Sequence, residues 1–309
     1  MNRREFLKQV HNVLVATAGA SFFSFSELEA LERGDIQKPD LIWLDAMSCD
    51  GCTVSLLNTD IPFLDVFTKF TNVIFHPTLS AATGDMALDL IEKYDSDNLF
   101  FVLEGSIPLA MPHACLMGEK FISEWVELVA KKAKVAIAAG TCATFNGVTE
   151  MKGMYTGASP LKYFLETKNI KLPLVNLPTC PMKPHHFLYV LFYFIKHKTI
   201  PPIDAENRPL RFFGNTIHER CVYYNDFVEG IFAEKIGERG CLFKLGCQGP
   251  ITKNDCVRSI HDFDKFNCIK SGHPCVGCAS ENFPRTIMFR RSDDERVVEK
   301  YKDFTRILG

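Results

Sequence analysis

The stretch Leu41-Ile42-Trp43-Leu44-Asp45-Ala46-Met47-Ser48-Cys49-Asp50-Gly51-Cys52 decides how this 309-residue chain is read. Asp40–Asp45 (DLIWLD) is apolar without alternation, as in a strand covered on both faces of a parallel sheet. A C-x-x-C pair follows directly, where the carboxyl end of that strand should lie. Four more runs repeat the pattern: Asn72–Phe75 (NVIF), Leu99–Leu103 (LFFVL), Lys134–Ala138 (KVAIA) and Leu172–Leu177 (LPLVNL). Helix-like stretches lie between them at Asp85–Tyr94, Gly118–Lys132 and Ser159–Lys168, and Pro184–His197 reads as a buried closing helix. Strand–helix alternation predicts an α/β fold, a flavodoxin-like doubly wound parallel sheet, over residues 39–200.

Beyond about Lys198 the texture changes to Pro, Gly, Asn and Cys. A stretch of that kind, expected as a separate cluster-binding domain over 201–290, cannot easily bury a core alone. Eight of the chain's 12 Cys lie from Cys180 onward, which suggests what holds it. Residues 291–309 read as a charged C-terminal tail without an apolar anchor. No internal repeat or low-complexity segment occurs.

The whole-chain balance fits a globular protein: 47% hydrophobic and 23% charged residues exclude disordered and coiled-coil classes. The net charge of −2 supplies no basic excess, so no nucleic-acid partner is expected. The N-terminus, Met1-Asn2-Arg3-Arg4-Glu5-Phe6-Leu7-Lys8, carries an Arg pair resembling the twin-arginine export signal. The uncharged run Val13–Ser26 after it is too short to span a membrane and suits a signal peptide's apolar region. Residues 1–30 are therefore expected to be a signal peptide; the alternative is an amphipathic helix docked on the protein.

In an open α/β sheet, sites form beyond the carboxyl ends of the strands. Cys49 and Cys52 follow the first strand, Cys142 the Lys134–Ala138 strand and Cys180 the Leu172–Leu177 strand. The fold would gather these four thiols at one sheet edge. Four convergent thiolates suit a cubane iron–sulfur cluster. Zinc is the competitor, although structural zinc usually takes two close Cys pairs and only one is present here. The second half adds His218, Cys221, Cys241, Cys247, Cys256, Cys268, Cys275 and Cys278, eight candidate ligands that divide into two groups of four. For an exported protein, disulfides are the competing use of these thiols. No Gly-x-Gly-x-x-Gly, Walker-type loop or phosphate cradle is present, so no bound flavin or nucleotide is expected. His185-His186 opens a helix, where a His pair is expected to be solvated rather than ligating. Glu104 ends a strand near the first Cys group, with a structural or an interface role open to it.

Taken together, these residues resemble the small subunit of nickel–iron hydrogenases. The motifs run in family order over about residues 40–285. They are Cys49-x-x-Cys52-Thr53-Val54-Ser55; Leu103-Glu104-Gly105-Ser106-Ile107-Pro108; Gly140-Thr141-Cys142-Ala143; His218-x-x-Cys221; Gly246-Cys247-Gln248-Gly249-Pro250; and Gly272-His273-Pro274-Cys275-Val276-Gly277-Cys278. The resemblance implies three iron–sulfur clusters in a line, relaying electrons from a nickel–iron centre on a large partner subunit. Cys49, Cys52, Cys142 and Cys180 would hold the proximal 4Fe-4S cluster. His218, Cys221, Cys241 and Cys247 would hold the distal 4Fe-4S cluster. Cys256, Cys275 and Cys278 would hold the medial one. Much of the family has Pro where a fourth medial ligand would stand; Cys268 occupies that place here. A 4Fe-4S medial cluster is therefore expected, with 3Fe-4S as the alternative if Cys268 does not ligate. Cys115 is left as a free structural thiol.

Oxygen-tolerant relatives carry extra Cys near the proximal cluster, and the matching positions here are Gly51 and Gly147. The implication is a standard four-Cys proximal cluster and ordinary oxygen sensitivity. Thr179-Cys180-Pro181-Met182 departs mildly from the family's Gly before and Pro-Pro after that Cys. The implied whole is the electron-transfer subunit of a periplasmic hydrogenase heterodimer, membrane-associated only through a partner. Its acceptor would be membrane cytochrome b or soluble cytochrome c. The alternatives are a hydrogen-sensing regulatory subunit, which would lack an export signal, and a non-catalytic electron-transfer module, which would lack the second-half Cys series.

Overall fold

The computed structural model describes residues 2–19, 22–59, 61–150, 155–257, 259 and 267–284. The charged tail expected over 291–309 lies outside these residues. Five parallel strands form the central sheet: β1 Asp40–Asp45, β2 Asn72–Phe75, β3 Leu99–Glu104, β4 Val135–Ala139 and β5 Leu174–Leu177. Their order is β2-β1-β3-β4-β5, which is the flavodoxin order. Burial explains the lack of sequence alternation, since β3 and β4 are buried at every position. Each face still follows the two-residue period of a strand. Leu41, Trp43, Phe100, Val102, Ile137 and Val175 feed one core, while Ile42, Leu44, Phe101, Leu103 and Ala138 feed the other.

Helices cover both faces. On the second face lie α5 Gly84–Lys93, α6 Ile122–Lys132 and α8 Leu161–Thr167. The start of α6 falls later than the sequence pattern suggested. Leu116–Met117 and Lys120–Phe121 form a small antiparallel hairpin first, turning at Gly118 with φ +64°. On the first face, α9 Pro184–His197 is buried along nearly its whole length, as expected of a closing helix. Beside it lies α4 Phe63–Phe70, which the sequence reading passed over. Its Phe63, Val66, Phe67 and Phe70 have helical spacing, so the signal was present.

The N-terminal stretch expected to serve as an export signal folds onto this face. Helix α1 Arg3–Ala18 buries Phe6, Leu7, Val10 and Leu14, and α2 Phe25–Arg33 buries Leu28 and Leu31. Both helices begin with a capping box, at Asn2/Glu5 and Ser24/Glu27. Phe6 stacks on Phe70 at 5.8 Å, and Arg3 pairs with Glu32 at 2.5 Å.

After α9 regular structure thins to α10 Leu210–Phe213, α11 Tyr224–Val228 and short turns. A small core of Ile217, Val257, Ile269 and Cys275 has Cys221, Cys247 and Cys256 packed against it. Counting Tyr223, which also packs there, four of these eight residues are Cys, so apolar burial alone holds this region weakly. Among the described residues, no helix is long and apolar enough to cross a membrane.

Candidate metal centres

The proximal group forms where three parallel strands end. Asp50, at φ +57°, turns the chain from β1 into the short helix α3 Gly51–Ser55, which carries Cys52. Glu104, the last residue of β3, reaches across and accepts three hydrogen bonds. The donors are the Cys52 amide at 2.9 Å, the Thr53 amide at 3.0 Å and the Thr53 hydroxyl at 2.7 Å. Glu104 therefore positions the Cys52 backbone, a structural role. Cys142 rides on α7 Gly140–Phe145 after β4, and Cys180 follows β5. A Cβ at Gly140 would run into the Cys52 sulfur; φ there is +82°. Glycine is required at that position on both counts.

These four thiols influence one another. Burial pushes the Cys52 thiol well above its ordinary range, with Glu104, Cys180 and Cys142 adding to the effect. Burial likewise lifts Cys180 to about 12, with Cys142, Cys278 and Cys49 contributing. Thiols pushed up in this way would stay protonated on their own. A cation bound among them deprotonates a coordinating thiol outright.

The distal candidates line one pocket: His218, Cys221, Cys241 and Cys247, with Leu242 and Phe243. His218 lies between the Tyr224 and Phe227 rings, 5.3 and 4.5 Å away. Burial lowers the His218 pKa and so favours neutral imidazole, the form that ligates metal. Burial raises Cys241 to about 12 and Cys247 to about 11.

The medial candidates, Cys256, Cys268, Cys275 and Cys278, all line a cavity of about 240 Å³. Cys268 thus stands with the other three. Cys180 and Lys183 line the same cavity, beside the proximal group.

The three groups are joined in one order. Cys180 and Cys278 line the same cavity, and the Thr141 hydroxyl donates to the Cys278 carbonyl. On the other side, the Cys275 amide donates to the Cys247 sulfur at 3.3 Å, and the Gln248 amide to the Cys275 carbonyl at 2.8 Å. Proximal, medial and distal sets therefore adjoin in that sequence, although the medial ligands come last along the chain.

The spacing of the thiols bears on which group they suit. Tetrahedral zinc with Zn–S of about 2.3 Å needs sulfurs about 3.8 Å apart. Among the described residues, the one set of three His, Cys, Asp or Glu ligand atoms lying within 4.8 Å of each other is His185, His186 and Asp255. The Cys sets are more open, as a multi-iron cluster requires. All twelve thiols are free, so none is used in a disulfide. Cys115 is half-buried against the second core.

The expectation for the His pair is corrected. His185 and His186 are buried, with side chains 3% and 0% exposed, rather than solvated. Each donates from Nε2 to one carboxylate oxygen of Asp255, at 2.9 Å. Local sequence missed this because the partner lies some 70 residues downstream. Asp45 was also missed: burial first, then Glu104 and Asp50, raise its pKa to about 8.

Comparison with known proteins identifies the family. A family described as the C-terminal part of the NiFe/NiFeSe hydrogenase small subunit matches residues 213–290. One described as the 20 Kd subunit of NADH ubiquinone oxidoreductase matches residues 49–194. The periplasmic [NiFeSe] hydrogenase small subunit of Desulfomicrobium baculatum is 31% identical over 92% of this chain and 96% of its own length. The chain belongs to the nickel–iron hydrogenase small-subunit family. The Hydrogenase-2 small chain of Escherichia coli K12 is 34% identical over 91% of this chain and 77% of its own. A solved structure of the Desulfomicrobium baculatum [NiFeSe] hydrogenase superposes with a TM-score of 0.75 at 32% identity. That match covers 81% of this chain and 96% of the other. The recombinant [NiFeSe] hydrogenase of Desulfovibrio vulgaris Hildenborough gives 0.76 at 30%, over 82% and 98%. The chain is therefore a small subunit of a nickel–iron hydrogenase, an oxidoreductase.

Proposed function

We propose that this protein holds three iron–sulfur clusters and relays electrons from hydrogen oxidation, through the proximal, medial and distal groups, to a respiratory cytochrome b or c in the periplasm. One observation carries the reading: the twelve expected ligands fall into three adjoining sets whose order matches such a relay. When bound, the clusters supply the one-electron steps. The chain's own residues orient and screen them. Glu104 and Gly140 set the position of Cys52, the rings of Tyr224 and Phe227 flank His218, and the Cys275 amide directs a hydrogen bond at the Cys247 sulfur. Amide hydrogen bonds to cluster sulfurs stabilise the reduced, more negative form.

Cys268 in the wall of the 240 Å³ cavity supports a four-iron medial cluster. A Cβ at Gly51 would stand 3.1 Å from the Cys49 sulfur, and one at Gly147 would stand 3.2 Å from the Cys142 sulfur. That crowding supports a standard four-Cys proximal set with ordinary oxygen sensitivity. Export rests on Arg3-Arg4 and on relatives named as periplasmic subunits.

The test is hydrogen-dependent dye reduction by the complex purified without oxygen from its native host, alongside EPR and cell fractionation. Rapid turnover is expected, with the protein in the periplasmic fraction. Very slow turnover with the nickel subunit present would favour a sensor instead. A full-intensity three-iron EPR signal from oxidised enzyme would overturn the four-iron medial assignment.

A further inference from the structure

Lys183 is a buried cation beside the medial cavity. Its side chain is 5% exposed, and it is the one charged residue among the described residues lining the medial cavity. Its ammonium lies 3.8 Å from Asp255, whose two carboxylate oxygens each accept a hydrogen bond from one imidazole of the His185–His186 pair. Lys183 lines the cavity and Asp255 does not, although Asp255 immediately precedes Cys256 in the chain. Burying an ammonium is costly unless it is held by a counter-ion. Here the counter-ion is itself locked by two donors from the first turn of α9, and the ammonium has little freedom to leave.

We propose that Lys183 tunes the medial cluster, its fixed positive charge raising that cluster's reduction potential against the negative charge that a fourth thiolate, Cys268, brings. The proposal rests on the three-cluster reading above. Cluster potential follows net charge and the surrounding field. Four thiolates in the medial group would otherwise depress its potential below that of a three-thiolate site. His185, His186 and Asp255 are positioning residues in this scheme, since they act only by holding the ammonium against the cavity.

The test is an EPR-monitored redox titration of the purified heterodimer. Lys183→Met removes the charge and keeps the bulk, while Lys183→Arg keeps the charge. A unit charge at the cavity wall should alter the medial reduction equilibrium about tenfold. For a one-electron couple that is a fall of about 59 mV in Lys183→Met. Lys183→Arg should titrate close to wild type, and the distal couple should hardly move in either. Asp255→Asn leaves the ammonium uncompensated and should shift the medial couple upward, which decides the matter even if Lys183→Met fails to assemble. An unchanged medial couple in Lys183→Met, an equal fall in Lys183→Arg, or a downward shift in Asp255→Asn would overturn the proposal. The wild-type spectrum reports cluster number and type separately, so a failure of the three-cluster reading shows there, before any variant is compared.

Discussion

Replacing Gly105 by Ala should damage the proximal centre although Gly105 ligates nothing. Gly105 follows Glu104 at the end of β3, at φ +84°, and a Cβ there would lie 2.6 Å from both the carbonyl carbon and the oxygen of Met47 and 2.8 Å from the Ser48 amide nitrogen. Ordinary contact begins near 3.4 Å. The Met47–Ser48 peptide must therefore retreat by about 0.8 Å, several times the roughly 0.2 Å tolerance of a metal–ligand distance. That peptide leads straight into Cys49. Moving it also breaks the bridge in which Met47 and Ser106 exchange amide–carbonyl bonds at 3.0 and 3.3 Å. Two such bonds contribute about 1–3 kcal/mol together. A non-glycine residue in the left-handed region costs about 1–2 kcal/mol more. The total is about 2–5 kcal/mol, with Cys49 displaced. Gly34→Ala is the matched control: φ is +87° there and nothing lies within 4 Å, so it bears only the backbone strain. The assay is iron per heterodimer together with the melting temperature. Gly105→Ala should lose about the four irons of one cubane and melt well below Gly34→Ala. Equal melting temperatures with full iron in both variants would refute the reasoning.

Four other variants, at three positions, test the same edge of the sheet. Gly140→Ala drives a methyl group into the Cys52 sulfur and should also lower iron content, which full occupancy by metal analysis would contradict. Glu104→Ala orphans the buried Cys52 and Thr53 amides at about 1–3 kcal/mol each, while Glu104→Gln keeps one acceptor and should cost about half as much; equal melting of the two variants would count against the carboxylate's positioning role. Asp45, raised to about 8, keeps its proton in the native state at pH values where the unfolded chain releases it. Its contribution is therefore fully present below about pH 4 and is lost as pH rises through about 8. Asp45→Asn should flatten the fall in melting temperature between pH 5 and 8.5; an unaltered slope would show that Asp45 is not the titrating group.

Much of this chain is legible residue by residue. The five strands announce themselves because a strand covered on both faces must be continuously apolar, and DLIWLD, LFFVL and KVAIA are. The first Cys group could be placed because flavodoxin-order strands must end at one edge, so residues as distant as Cys52 and Cys142 converge by topology alone. Helix α4 was equally legible and was overlooked.

Other features had no local signature. The Asp255 that binds the His185–His186 pair lies some 70 residues away in an irregular segment with no periodicity to register it. The Lys183 ammonium facing the medial cavity looks like any surface lysine until the fold buries it. The role of Glu104 depended on which amides it meets.

By itself, then, the sequence determined the strand pattern, the sheet edge where the first four thiols meet, and the identity of the candidate ligands. The strand pattern follows from periodicity along the chain, the meeting of the four thiols from the topology that pattern implies, and the division of the ligands into sets from the family resemblance. Only the tertiary structure decided that Gly105 and Gly140 are held against segments bearing candidate ligands, and that a lysine is buried beside the medial group. Those depend on distances between residues far apart in sequence, which close packing of the sheet edge against the irregular segment sets and no local pattern encodes.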